Sequence, residues 1–325
     1  MLPAVPTISL STLTGQYIYA FKYDYHHQEL SYLESRQLFG HVHTDNLLFS
    51  EKVIDPSSSA FIKSRLTIEQ IAASYSELVK QIATRGIVKE GFKVEYLTLS
   101  GDTTTYPERL EKLREIGHII TGEPDYDKPT IIYALAYHAG NWFFGELQKH
   151  DADWQKHKQK PYSFSNSIGM NIGKTLVSLA SKGNSTRKLL DACCGVGTVM
   201  LEACFLGVNI TGCDINWKAC KHTRDNLEHY DYKAEVYCTD IKDLQMSFDA
   251  VIIDLPYNLY TYSDEIITLN IISSSAKIAP RLIIVSITDI TAIIEESGLY
   301  VADYCTVEKR GKTKFTRNIW VCERQ

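Results

Sequence analysis

From about residue 188 the apolar positions follow one repeating pattern. Short runs of aliphatic and β-branched residues cover 188–192, 208–214, 234–238, 250–254 and 281–286. Such runs predict strands, and Val251-Ile252-Ile253 one that is fully buried. Between them, apolar residues recur every three to four positions over 198–205, 217–230, 264–278 and 290–296, which predicts helices. Strands alternating with helices predict a parallel, doubly wound α/β sheet. The pattern changes at the end. Two alternating runs, 300–307 and 315–321, flank Lys309-Arg310-Gly311-Lys312 and predict an antiparallel hairpin on the sheet edge.

The first half is mixed. Strands are expected at 16–23, 47–53 and 92–99, and helices at 26–38 and 106–119. Thr67 with Gln70 three residues on resembles a capping box, so a helix is predicted from Thr67 through Ile71, Leu78 and Ile82 to Gly86. Runs 131–138 and 142–147 are expected to pair as a hairpin around Ala139-Gly140-Asn141. This half therefore reads as an α+β domain over 1–150. The stretch 151–166 opens polar and charged without apolar periodicity and reads as a linker. A helix from about Ser167 leads into the α/β domain, 167–325.

Composition narrows the class. A chain of 325 residues exceeds the usual single domain. Its formal charge of −5 argues against nucleic-acid binding by bulk electrostatics and leaves room only for local basic patches. Two are candidates: Lys149, His150, Lys156, His157, Lys158 and Lys160, and Lys309, Arg310, Lys312, Lys314 and Arg317. All eight cysteines lie at or after Cys193, a skew that fits free thiols in a reducing cytoplasm better than a disulfide framework. No pair has metal-site spacing, and no metal is expected. Neither a membrane span nor a secretory leader is expected.

Candidate chemistry gathers at the predicted strand ends. Asp191-Ala192-Cys193-Cys194-Gly195-Val196-Gly197-Thr198 joins the first α/β strand to its helix through a turn with two glycines. Glycine there permits positive φ and close approach of the backbone to a ligand. The third glycine of a dinucleotide fingerprint is missing, and so are the Lys and Ser of a phosphate loop. Asp214 ends the second strand, where an acid can bond ribose hydroxyls. Asp240 ends the third and can accept from an adenine amino group. Ile215 and Ile241 follow them and complete the expected cofactor wall. Taken singly, such an Asp is as well explained as a helix N-cap. Four in register point to an adenosine-type cofactor, with the Cys193 backbone lining its site.

The fourth strand ends in Asp254-Leu255-Pro256-Tyr257. An exocyclic amine on a nucleobase is a poor nucleophile because its lone pair delocalises into the ring. Two acceptors for its hydrogens favour tetrahedral nitrogen. The Asp254 carboxylate and the Leu255 carbonyl are candidates for both, Pro256 stiffens the turn, and Tyr257 offers a ring for stacking on the base. With the glycine turn, this suggests methyl transfer from S-adenosylmethionine to a base nitrogen.

These motifs resemble class I S-adenosylmethionine-dependent methyltransferases acting on exocyclic amines. Lys160-Pro161-Tyr162, the turn from Asp191 to Thr198, and Glu202-Ala203 are similar to RNA guanine-N2 methyltransferases that join a THUMP domain to a Rossmann-like catalytic domain, notably the tRNA guanine-10 branch. The family usually has Pro where Ala192 and Leu255 stand. The likeness is specific over 160–325. Before that, Glu123-Pro124-Asp125-Tyr126-Asp127 and 131–138 resemble the closing strands of a THUMP domain. The resemblance implies a cytoplasmic, monomeric enzyme with S-adenosylmethionine as cofactor and tRNA as partner. Rival readings are an adenine amino-methyltransferase on DNA or RNA, and a non-catalytic RNA-binding protein retaining the fold.

Overall fold

A computed structural model describes residues 14–164, 167–256, 262–309 and 315–324. The described residues group into two units. One holds the described chain up to Lys22 with His43–Pro56 and Ile62–His150; the other holds Tyr23–Val42, Ser57–Phe61 and the chain from Asp151.

The first unit is α+β. Its strands are β1 (Tyr17–Phe21), β2 (Leu47–Ser50), β3 (Ile62–Thr67), β4 (Gln70–Ala72), β5 (Phe92–Leu97), β6 (Ile131–His138) and β7 (Asn141–Lys149), in the order β2-β1-β3-β7-β6-β5, with β4 on β7. Period-two alternation sorts β6 between two cores. Tyr133 and Leu135 face one core with Leu78, Ile82 and Ile116, which come from the helices at 75–85 and 106–119. Ala134 and Ala136 face the other with Ile18, Leu66 and Phe143. The β6–β7 hairpin turns on two residues, Ala139 (φ 47°) and Gly140 (φ 82°), and Asn141, expected in the turn, instead pairs with His138. Positive φ at both turn positions is what a tight hairpin with right-handed twist requires.

The helix predicted from Thr67 is not there. Ile62, Ser64 and Leu66 are buried alternately in β3, and Gln70–Ala72 pairs with β7. The capping-type spacing at Thr67 is outweighed by strand pairing on both sides of it. The helix is Tyr75–Arg85, and its N-cap is Ser74, whose hydroxyl accepts from the Glu77 N–H at 3.3 Å.

In the second unit, α1 (Gln28–Phe39) is followed by α4 (Met170–Ser181), α2 and α3 being the two helices of the first unit. Then come β8 (Lys188–Ala192), α5 (Thr198–Phe205), β9 (Asn209–Asp214), α6 (Trp217–His229), β10 (Glu235–Cys238), β11 (Ala250–Asp254), α7 (Tyr262–Ile278), β12 (Arg281–Ser286), α8 (Thr291–Glu296), β13 (Leu299–Lys309) and β14 (Phe315–Arg324). The sheet order is β10-β9-β8-β11-β12-β14-β13, with β10 to β12 parallel throughout and β14 antiparallel to both its neighbours. The chain winds outward from β8 to β10, then returns to β11. The topological switch point therefore lies between β8 and β11, where open α/β sheets bind ligands. The predicted strands and terminal hairpin appear within one or two residues of their expected bounds, except that β13 and β14 run up to three residues longer at an end.

Three expectations need correction. Residues 23–42 and 57–61 sit in the second unit, not in a domain spanning 1–150. The reason is α1: Arg36 forms an ion pair with Asp303 of β13 at 2.9 Å, and Gln37 bonds both Asp303 and the buried Arg281. The supposed linker contains a 3-10 helix, Asp153–Gln159, that buries Trp154 and His157. His157 spans Glu202 (2.8 Å) and Tyr232 (3.0 Å) and is buried, whereas Lys149, Lys156 and Lys158 of the first basic patch are exposed. Arg317 of the second patch is 2% exposed, and Arg310, Lys312 and Lys314 lie outside the described residues. Among the described residues no helix is long and apolar enough to cross a membrane.

The revised helix start is testable. Ser74→Ala should cost about 1 kcal/mol by loss of the cap, and Thr67→Ala markedly less. Denaturant melts of the two variants decide the matter, and the reverse order would restore Thr67 as the cap.

Candidate cofactor and acceptor site

Strand register assembles the site. Ala192 pairs with Cys213 and with Ile253, and Asp214 pairs with Cys238. Asp214 and Asp254 therefore stand level with Cys193 at the carboxyl edge, and Asp191 sits two residues deeper. Asp191, Cys193, Cys194, Gly195, Thr198 and Asp254 line one small cavity of about 50 Å³, together with Ser167 and Ile168.

The turn after β8 is built for close approach. Cys193 (φ 67°), Gly195 (φ 56°) and Gly197 (φ 77°) all adopt the left-handed region. A Cβ on Gly197 would come within 2.7 Å of Thr223 Cγ2, so the helix behind the turn excludes any larger residue. A Cβ on Gly195 would meet nothing nearer than the Cys193 carbonyl at 3.9 Å. That side of the turn is open, as a ligand cradle should be. Gly197 then starts α5.

The acids play distinct parts. Asp214 is half-buried; its Oδ2 accepts from the Gly195 N–H at 2.9 Å and its Oδ1 from the Asn216 N–H at 2.8 Å. It braces the glycine turn and has lone pairs left to accept from a ligand. Ile215 beside it is 76% exposed, an apolar surface with no core role. Asp240 caps the short helix Ile241–Asp243, accepting from the Lys242 N–H and pairing with its ammonium at 3.0 Å. Partial burial opposes its charge, but the Lys242 contacts prevail and hold the carboxyl below its ordinary range. Ile241, expected on the cofactor wall, is a core residue packed with Leu190 and Val251.

Asp191 is the outlier. It is 2% exposed, and its Oδ2 meets no hydrogen-bond partner among the described residues. Burial, then the charges of Asp254 and Asp214, push its carboxyl well above the ordinary range. A buried carboxylate among like charges is a site awaiting a cation. S-adenosylmethionine carries cationic ammonium and sulfonium groups, so the orphaned oxygen, the open cradle and the strand-end acids all suit it. Asp191, Gly195 and Asp214 are the residues that would hold it.

At the acceptor end, Asp254 closes β11, and the Leu255 N–H extends the ladder to the Val285 carbonyl at 3.0 Å. Leu255 is buried and Pro256 exposed. Tyr257 lies outside the described residues. Thr223 and Asn226, which hold the glycine turn from α6, were not among the expected site residues. The available signal was their place on the helix: with Ala219, Cys220 and Leu227 they form the buried stripe, polar where apolar residues are the norm.

An acid whose folded pKa exceeds its unfolded value binds a proton on folding, so native stability falls as pH climbs from the unfolded range near ~4 towards the raised pKa. Asp191→Asn should thus stabilise the cofactor-free protein, by up to about 1.4 kcal/mol more for each pH unit across that window. Calorimetric melts at acid and mildly alkaline pH test this; a variant with no pH-dependent gain would show that Asp191 is ionised and satisfied.

Comparison with known proteins agrees with this geometry. Residues 158–269 match the family described as UPF0020, RMKL-like, methyltransferase domain. The chain is 30% identical over 200 residues to a tRNA (guanine(10)-N2)-dimethyltransferase of Methanothermobacter thermautotrophicus, covering 58% of each chain. It is 27% identical over 197 residues to the protein of that name from Pyrococcus abyssi, covering 57% of this chain and 58% of the relative. The match thus spans less than two thirds of either relative's length. In fold, it superposes on TrmN from Thermus thermophilus with a TM-score of 0.50 at 13% identity, covering 95% of this chain and all of that one. Fold, site and family match coincide in the second unit, where residues 158–269 match a methyltransferase domain.

Proposed function

We propose that the chain transfers a methyl group from S-adenosylmethionine to the exocyclic N2 of a guanine in tRNA, with position 10 the first place to look. The observation that carries this is the sharing of one cavity by Asp254 and the glycine turn. A strand-end acid there stands beside the donor and is followed by the Leu255 carbonyl and Pro256. The relatives named above act on that guanine in tRNA, which supports the choice of base and substrate.

When bound, S-adenosylmethionine supplies an electrophilic methyl group on a sulfonium. The chain's own residues do the rest. The Asp254 carboxylate and the Leu255 carbonyl accept hydrogen bonds from the two amine hydrogens, drawing the nitrogen lone pair out of conjugation and aiming it at the methyl. The proton shed after transfer passes to Asp254 and on to water. Tyr257, by its place in the motif, stacks on the base, which is extruded to reach the site. The α+β unit acts as a THUMP-like module that holds the folded part of the tRNA.

Asp254→Ala should lower single-turnover methylation at saturating S-adenosylmethionine at least about a hundredfold, because its role lies in the transition state. Unmodified tRNA transcripts, the full-length protein and nucleoside mass spectrometry provide the assay. N2-methylguanosine is the expected product. Methylated adenine would replace guanine by the rival base, and near wild-type turnover in the variant would make Asp254 structural.

A further inference from the structure

Lys160-Pro161-Tyr162 has no part in the chemistry above, yet Tyr162 is one of the most firmly held backbone positions beside the site. Asn226 of α6 is wholly buried. Its Oδ1 accepts from the Tyr162 N–H at 2.9 Å, and its Nδ2 donates to the Tyr162 carbonyl at 3.0 Å. The same Nδ2 donates to the Val196 carbonyl, inside the glycine turn, at 2.8 Å. Two N–H groups facing two carbonyls fix the orientation of this amide, since a flipped amide would set oxygen against oxygen. One turn earlier, the Thr223 hydroxyl donates to the Gly195 carbonyl at 2.8 Å.

The contacts continue from Tyr162 to the cavity. Its ring stacks on His222 at 4.1 Å and 5°. Two residues on, the Phe164 N–H donates to the Ser167 hydroxyl at 3.3 Å, and the Ser167 N–H donates to the Phe164 carbonyl at 3.1 Å. Ser167 and Ile168 line the same cavity as the glycine turn. One side chain therefore joins the two walls of the site: the turn on one side and the segment leading to Ser167 on the other.

We propose that Asn226 is a positioning residue of the methyl-donor site, locking the glycine turn to the Tyr162 backbone so that both walls order together when the donor binds. This rests on the cofactor reading. A leucine there would leave the Tyr162 N–H and the Tyr162 and Val196 carbonyls without these partners. The arrangement makes the donor's affinity depend on a residue that does not touch it. It also makes donor binding visible at Tyr162 and Phe164, whose side chains are 37% and 46% exposed.

The test uses the full chain with Asn226→Ala and Asn226→Asp, the latter keeping acceptance from the Tyr162 N–H but losing both donations. Two quantities are read below the melting temperature: S-adenosylmethionine affinity by calorimetry, and the rate of chymotrypsin cleavage after Tyr162 and Phe164. In the wild type, donor at ten times its Kd should slow cleavage about tenfold. Both variants should lose about tenfold in affinity, by loss of a buried hydrogen bond to the turn, and lose most of that protection. A purely structural Asn226 would lower the melting temperature but leave affinity and protection intact in the folded protein, and that result overturns the proposal. Should both variants fail to fold, hydrogen exchange of the wild type decides: the Tyr162 amide must slow with the donor in step with the amides of the glycine turn, and slowing confined to the turn overturns the clamp. A wild type that binds no S-adenosylmethionine would instead overturn the cofactor reading itself.

Discussion

Everything at the carboxyl edge of the second sheet depends on one electrostatic constraint: three aspartates brought together at the switch point, the deepest of them buried. Asp191 is buried, and Asp214 and Asp254 stand two residues above it on the neighbouring strands. Burial first, and then the charges of Asp254 and Asp214, push the Asp191 carboxyl well above its ordinary range. A fold under no functional demand would place apolar residues there, as it does one residue away at Leu190 and Ala192. A cation beside Asp191 would offset that cost, which suits the site to a positively charged ligand.

The surrounding structure works to keep that arrangement. Asp214 braces the turn at Gly195, while Thr223 and Asn226 hold the two following carbonyls from α6. The turn therefore has bonded backbone groups on one side and open space on the other, the condition for preorganised binding. A second buried polar group, Glu202 with His157 and Tyr232, anchors the segment that runs up to Tyr162. Burial raises the Glu202 carboxyl, and His157 opposes that rise most strongly. Both clusters pin irregular backbone to regular helices, where side-chain positions are best defined.

The α/β half was legible because its rules are local and repetitive. Five apolar strands, four helices and a basic hairpin tip leave few topologies, and strand ends locate the acids at once. The misreadings share another cause. Thr67 looked like a cap because Thr and Gln stood at the right spacing, but pairing across the sheet outweighs a local motif. Helix α1 was assigned to the wrong unit because Arg36 and Asp303 are joined across 267 residues. The stretch 151–160 looked like a solvated linker because His157 reads as a surface charge until its partner Glu202, 45 residues away, is known. Arg317 looked exposed for the same reason. Polar residues whose partners are distant carry no one-dimensional signature.

The most direct measurement is the proton balance of donor binding. Calorimetric titration of S-adenosylmethionine into the wild-type protein, in two buffers of different ionisation enthalpy, reads protons exchanged per ligand bound. A cation drawn to Asp191 must lower its raised pKa, so binding should release protons to the buffer and tighten as pH rises towards that pKa. Binding with no proton release, and with affinity independent of pH, would contradict a strained carboxylate cluster relieved by its cofactor.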